Sequence, residues 1–237
     1  MEWSVIISGD RSDLEELCKY FNSPQLCITQ QGNDFILKSA DFNLLTDANE
    51  VKNKACEIAP LINGAARLVL EMKKSLAVDC VVQATDNGKR NLFIFPNATA
   101  TGFSAGKPIV GVDGVVQEES QLEPISRWVA AARRDTNVAK ALRLSGVGVH
   151  DWVSLYRIYE VVENDVGGIS NISKKQWASE KTIRRFKHTA NSPGAIGDES
   201  RHGKILSDPP IYPMTFSEAK SLVETIVHKW IRLKGEG

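Results

Sequence analysis

The sequence predicts an α+β N-terminal domain followed by an all-α, four-helix-bundle-like C-terminal domain. Three observations carry this. Short β-prone runs alternate with helical periods up to about residue 118; from about residue 123 apolar residues recur only at helical spacing; and the polar, acidic stretch 117–123 between them suits a linker. With 237 residues against a prior of roughly 150 per domain, two domains are expected, at 1–118 and 123–237.

Composition narrows the classes. Lys plus Arg and Asp plus Glu both number 29, so the whole-chain field gives no reason to attract nucleic acid or an anionic membrane. No run approaches the roughly eighteen apolar residues of a membrane span. The start, Met1-Glu2-Trp3-Ser4-Val5, lacks the basic opening and apolar core of a secretory signal. A cytoplasmic protein with no membrane partner is expected. Cys18, Cys27, Cys56 and Cys80 are widely spaced, with no Cys-x-x-Cys and no histidine at zinc-like spacing. They read as buried small hydrophobes, with no metal and no cofactor.

In order along the first half, Val5, Ile6 and Ile7 form an apolar run that stops at Ser8-Gly9-Asp10, a buried strand ending in a turn. Asp10 or Ser12 can cap a helix carrying Leu14, Leu17, Cys18 and Phe21, broken near Pro24. The runs 26–29 and 35–37 flank Gly32-Asn33 and predict a hairpin. Thr46 with Asn49, or Asp47 with Glu50, can open a helix whose apolar period runs from Val51 to Met72, and Pro60 would kink or split it. The runs 78–84 and 91–95 flank Asn87-Gly88, the strongest short hairpin signal in the chain. Segment 97–107 ends in Gly102-Phe103-Ser104-Ala105-Gly106-Lys107. It lacks the spacing of a phosphate loop, has Pro108 where a Ser or Thr belongs, and leads into the β-like run 109–116, so it reads as a loop without nucleotide chemistry.

In the second half, Pro124 suits a first helical position, and Ile125, Trp128, Val129, Ala132, Ala139 and Leu142 predict one helix ending at Ser145-Gly146. Asp151 caps the next, whose wide apolar face is Trp152, Leu155, Tyr156, Tyr159 and Val162, stopping at Gly167-Gly168. A third runs from about Lys174 through Trp177, Ile183 and Phe186, with Lys187 and His188 as cations at its C-terminal end. Thr215-Phe216-Ser217-Glu218 is a capping box for the last helix, with Met214 placed to staple onto Ala219. Its stripe is Ala219, Leu222, Val223, Ile226, Val227 and Trp230. The tyrosines and Trp152, Trp177 and Trp230 read as core; His150 and His228 read as structural.

The stretch 184–214 concentrates the polar chemistry. It holds Arg184, Arg185, Arg201, His188 and His202 in a span broken by prolines and glycines, which reads as a loop. Long loops in compact domains, when ordered, are more often functional than the elements they join.

Trp152, Leu155, Tyr156, Tyr159 and Glu160 on one helix, then Asn191-Ser192-Pro193, Gly197-Asp198-Glu199-Ser200-Arg201-His202-Gly203, Pro209-Pro210 and Pro213-Met214, resemble the HEPN-type helical domains of bacterial defence, toxin and abortive-infection proteins. The resemblance covers the last 110 or so residues. It implies a metal-independent ribonuclease, active as a homodimer through the helical domain. An arginine and a histidine would cleave RNA, the imidazole taking the 2′-hydroxyl proton and the guanidinium stabilising charge on the phosphate. Carried onto this chain, Arg201 and His202 are the catalytic candidates, Arg184, Arg185, His188 and Asn191 would hold substrate, and Asp198 or Glu199 would orient the imidazole. The family separates its arginine and histidine by about four to six residues, whereas Arg201 and His202 are adjacent. Arg143 and His150 have six residues between them, but Leu144 follows where a polar residue is usual, and that match reads as chance. The opposing expectation is structural: Arg201 pairs with Asp198 or Glu199 to pin the loop, and His202 donates to a backbone carbonyl.

Three functions follow: an RNA-cleaving or RNA-binding defence or toxin effector; a non-catalytic interaction or dimerisation module with a degenerate motif; and a small-ligand sensor. A protein partner or ligand at the N-terminal domain is compatible with each.

Overall fold

The computed structural model describes residues 2–85, 90–95, 124–148, 151–204 and 208–235. The turn at 86–89, the glycine-containing segment 97–107, the run 109–116, the linker 117–123 with its expected domain boundary, and His150 lie outside the described residues. The chain divides into two compact units and enters each twice. One comprises Met1–Ala59 and Lys74–Pro124, the other Pro60–Lys73 and Ile125–Gly237. Segment 60–73 therefore groups with the C-terminal helices, which a single cut near residue 118 does not anticipate.

The first unit is a five-stranded antiparallel sheet, order β2-β3-β1-β4-β5, with helices. Strand β1 (Glu2–Ser8) alternates so that Trp3, Val5 and Ile7 are buried while the intervening residues are partly exposed. Its central place follows from the pairings Val5↔Leu37 with β3 (Asp34–Ser39) and Val5↔Val81 with β4 (Ala77–Ala84). That register lines up Val5, Leu37 and Val81 on one face, and burying each such side chain contributes about 1.5–3 kcal/mol. Strand β2 (Leu26–Gln31) meets β3 across a two-residue turn in which Gly32 has φ 65°, a conformation glycine adopts without steric cost. Strand β5 (Arg90–Ile94) pairs with β4, Ala84 opposite Arg90. Helix α1 (Arg11–Tyr20) is capped by Asp10, which accepts from the Ser12 amide, and buries Leu14 and Leu17.

Helix α2 (Ala48–Leu70) opens at Asp47, whose carboxylate accepts from the Asn49 amide, and it runs unbroken through Pro60, contrary to a split there. Only one intrahelical bond is forgone at Pro60, and twenty-three residues of helix hold the rest. Of the four cysteines, Cys18, Cys27 and Cys80 are partly exposed and Cys56 on α2 is exposed, so they are not the buried hydrophobes expected; all are free thiols.

The second unit is helical. Two helices stand where one was expected, α3 (Pro124–Arg134) and α4 (Thr136–Gly146). The break is Asp135, whose carboxylate accepts from the amides of Asn137 and Val138 and so restarts the helix. The 60–73 part of α2 lies against α4 through glycine: a Cβ on Gly64 would collide with the Leu142 carbonyl oxygen, and one on Gly146 would stand 2.9 Å from that of Pro60. Helix α5 (Trp152–Val166) ends at Gly167, φ 80°, and packs against α4, α6 (Ile169–Lys174), α7 (Glu180–Ala190) and α9 (Phe216–Gly235).

Helix α7 starts at Glu180, capped by Ser179, and not at Lys174; Trp177 lies outside it, half-buried beneath Lys175. Nor is 184–214 all loop. Its first residues belong to α7, and the short α8 (Pro193–Ile196) with a 3-10 turn at Gly197–Glu199 follows. The capping box holds: the Thr215 amide donates to Glu218 at 2.7 Å and the Glu218 amide to Thr215 Oγ1 at 3.2 Å. Trp152, Tyr159, Phe186 and Trp230 are fully buried, and His228 bonds the Leu68 carbonyl beside Trp128.

Candidate functional site

Helix α5 places Tyr156, Tyr159, Glu160 and Glu163 three and four residues apart, so they share a face. Helix α7 sets Phe186 against them, its ring stacked on Tyr156 at 5.6 Å and edge-on to Tyr159 at 5.3 Å. Two similar groupings follow three residues apart along α5. Lys187 binds Glu163 at 2.8 Å and lies 5.6 Å from the Tyr159 ring centroid. Arg201 binds Glu160 at 2.9 Å and lies 4.5 Å from that of Tyr156. The 3-10 turn carries Arg201 there, and its amide donates to the Ala190 carbonyl at 2.9 Å. Asn191, just past α7, donates to the Tyr156 hydroxyl at 3.3 Å.

This face unites Arg201 and Asn191 of the sequence candidates. Arg184 is exposed and pairs with Glu180 one turn back. Arg185 donates to the carbonyls of Tyr212 at 2.8 Å and Pro213 at 3.0 Å, and its guanidinium also meets Glu218. His188 bonds the Asp208 carbonyl at 2.8 Å. Arg185 and His188 thus fasten the segment leading into α9. Among the described residues, no hydrogen bond joins Asp198 or Glu199 to the His202 ring or to Arg201, and Arg201 pairs with Glu160. The partner of Arg201 is Glu160, on a helix that sequence proximity does not suggest. The His202 carbonyl accepts from Ser200 Oγ at 2.7 Å.

Sequence reasoning missed Glu163 and Lys187 as a pair, and Glu160 as the acceptor for Arg201. The signal was present in Tyr156-x-x-Tyr159-Glu160-x-x-Glu163, which sets a carboxylate beside each ring.

Burial, with the Glu163 carboxylate second, pushes the Tyr159 hydroxyl well above the ordinary tyrosine range, so it is no base at neutral pH. The Tyr159 hydroxyl, Asn191 Oδ1 and Ser192 Oγ are buried without a hydrogen-bond partner among the described residues. Beside the face, Asn137, Lys140, Arg157 and Glu160 border a groove of about 220 Å³, short of the roughly 300 Å³ at which drug-sized ligand sites begin. In the sheet unit, Trp3, Asn22, Pro24 and Lys38 border an open depression of about 360 Å³.

No protein-family model, curated protein or solved structure matches the chain. No helix among the described residues is long and apolar enough to cross a membrane.

Proposed function

We propose that the helical unit is a non-catalytic docking module. The observation that carries this reading is the commitment of Arg201: its charge is met by Glu160, its guanidinium carbon lies over the Tyr156 ring, and its amide donates to the Ala190 carbonyl. A guanidinium that serves a transition state must reach a developing phosphate charge, and this one would first have to leave a carboxylate. Among the described residues no carboxylate bonds the His202 ring, one of the groups that can fix the tautomer of a general base.

The test is incubation of the purified chain with a mixed RNA panel in EDTA, beside Arg201→Ala and His202→Ala, with denaturation curves for all three. The docking reading expects intact RNA throughout and a loss of stability in Arg201→Ala alone. Fragments ending in 2′,3′-cyclic phosphate that disappear with His202→Ala would replace it by the ribonuclease reading, with Arg201 as the charge-stabilising partner.

A further inference from the structure

Between α7 and α9 the chain runs Asp208-Pro209-Pro210-Ile211-Tyr212-Pro213-Met214, and the helical unit holds this run at several points. The His188 ring bonds the Asp208 carbonyl, Arg185 donates to the carbonyls of Tyr212 and Pro213, and the Met214 amide donates to buried Thr189 Oγ1 at 3.0 Å. Pro209 rests against Gly194, where an added Cβ would meet the proline ring at 3.4 Å. Yet Ile211 and Tyr212 are 87% and 78% exposed, the chain bending at both. The carbonyls of Pro209, Pro210 and Ile211 accept no hydrogen bond among the described residues. Folding normally hides large apolar side chains or leaves them on flexible tips; here a clamped backbone displays them.

That combination defines a ligand more than a pocket. Proline rings fix φ at Pro209, Pro210 and Pro213, and the contacts from Arg185, His188 and Thr189 hold the bend at Ile211 and Tyr212, so part of the ordering cost of binding is met in advance. The order Pro209-Pro210-Ile211-Tyr212 offers proline ring faces, unbonded carbonyls and an exposed tyrosine, the kinds of group that aromatic-lined grooves contact. Self-association through the same knob is disfavoured by area. Two such side chains present on the order of 300 Å², whereas a stable interface needs about 800 Å² per partner.

We infer that segment 208–214 is a pre-organised recognition segment for a protein bearing an aromatic-lined groove of the polyproline-reading type, with Tyr212 as its anchor. This inference rests on the docking-module reading and names its contact element.

The test titrates labelled recombinant WW-type and SH3-type domains into the full-length chain, into Tyr212→Ala and into Arg185→Ala, with thermal denaturation of each variant as a folding control. At least one domain binds the wild type, Tyr212→Ala weakens it about tenfold or more as expected of an aromatic anchor, and Arg185→Ala weakens it less by loosening the clamp. The inference is overturned if no domain binds, or if Tyr212→Ala binds as well as the wild type. A concentration-dependent dimer in light scattering that Tyr212→Ala dissolves overturns it in favour of a second copy. RNA cleavage lost in His202→Ala but kept in Tyr212→Ala refutes the docking-module reading on separate grounds.

Discussion

At the residue scale, Arg201 lies over the Tyr156 ring, its guanidinium carbon 4.5 Å from the centroid, and binds Glu160 at 2.9 Å, closer to its ring than Lys187 is to Tyr159 at 5.6 Å. Arg201→Ala is expected to cost about 1 kcal/mol, read as a lower urea midpoint, because a partly exposed pair and a ring contact are each worth roughly that or less. Arg201→Lys should recover only part, and His202→Ala should leave the midpoint unchanged. The candidate site was half legible for a physical reason. Chemistry-bearing residue types stand out in a sequence, but the partner of a long side chain is set by tertiary packing, and forty-one positions separate Glu160 from Arg201. Asp198 and Glu199 are nearer in sequence, yet the carboxylate that Arg201 meets is Glu160.

The cluster of Lys234, Asp135 and Asp165 titrates. Lys234 binds Asp135 at 2.8 Å and Asp165 at 2.9 Å, while Trp230 and Asn137 also donate to Asp165. Burial alone would raise both carboxyls, but hydrogen bonds led by that from Lys234 outweigh it and hold both below the usual range. Carboxyls depressed by folding add stability above their unfolded pKa, near pH 4, and that stability is lost as pH falls through the folded values. Hydrogen bonds to Asp135, then Asp165, raise Lys234, so its share is lost only on the alkaline side, as pH rises through its folded pKa. Urea midpoints measured against pH should therefore fall on the acid limb, and Lys234→Met should lower the midpoint at neutral pH and flatten that limb.

At the element scale, strands and helices followed local pattern closely, since alternation in β1 and the stripe of α9 depend on nearest neighbours. What pattern missed were interruptions made by one side chain: Asp135 divides a continuous apolar period, and Ser179 delays α7. Asp10 offers a direct measure of such a cap. Led by its hydrogen bond with Ser12 and then by Lys74, its pKa is lowered to about 2. Asp10→Ala should destabilise the sheet unit by about 1 kcal/mol in chemical denaturation. Close helix contact gives the sharper test. Gly64→Ala pushes a methyl into the Leu142 carbonyl and should cost about 3 kcal/mol or more. Gly203→Ala, with nothing within 4 Å, should change stability by less than about 0.5 kcal/mol.

At the scale of the whole molecule, the order of α+β before all-α was readable because composition and periodicity change along the chain. The double crossing between the units was not, because α2 has one uninterrupted period and nothing local marks Ala59 as the end of one unit and Pro60 as the start of the other. A ribosome meets this arrangement as a timetable. Pro60 and Gly64 leave the exit tunnel long before Leu142 and Gly146, which they lie against, have been synthesised. For roughly eighty codons the Gly64 surface of α2 lacks this partner helix, an interval of about 4–16 seconds at typical elongation speeds. The nascent chain is then a natural client for a holding chaperone, and slowing translation downstream of residue 73 should lower the yield of soluble protein.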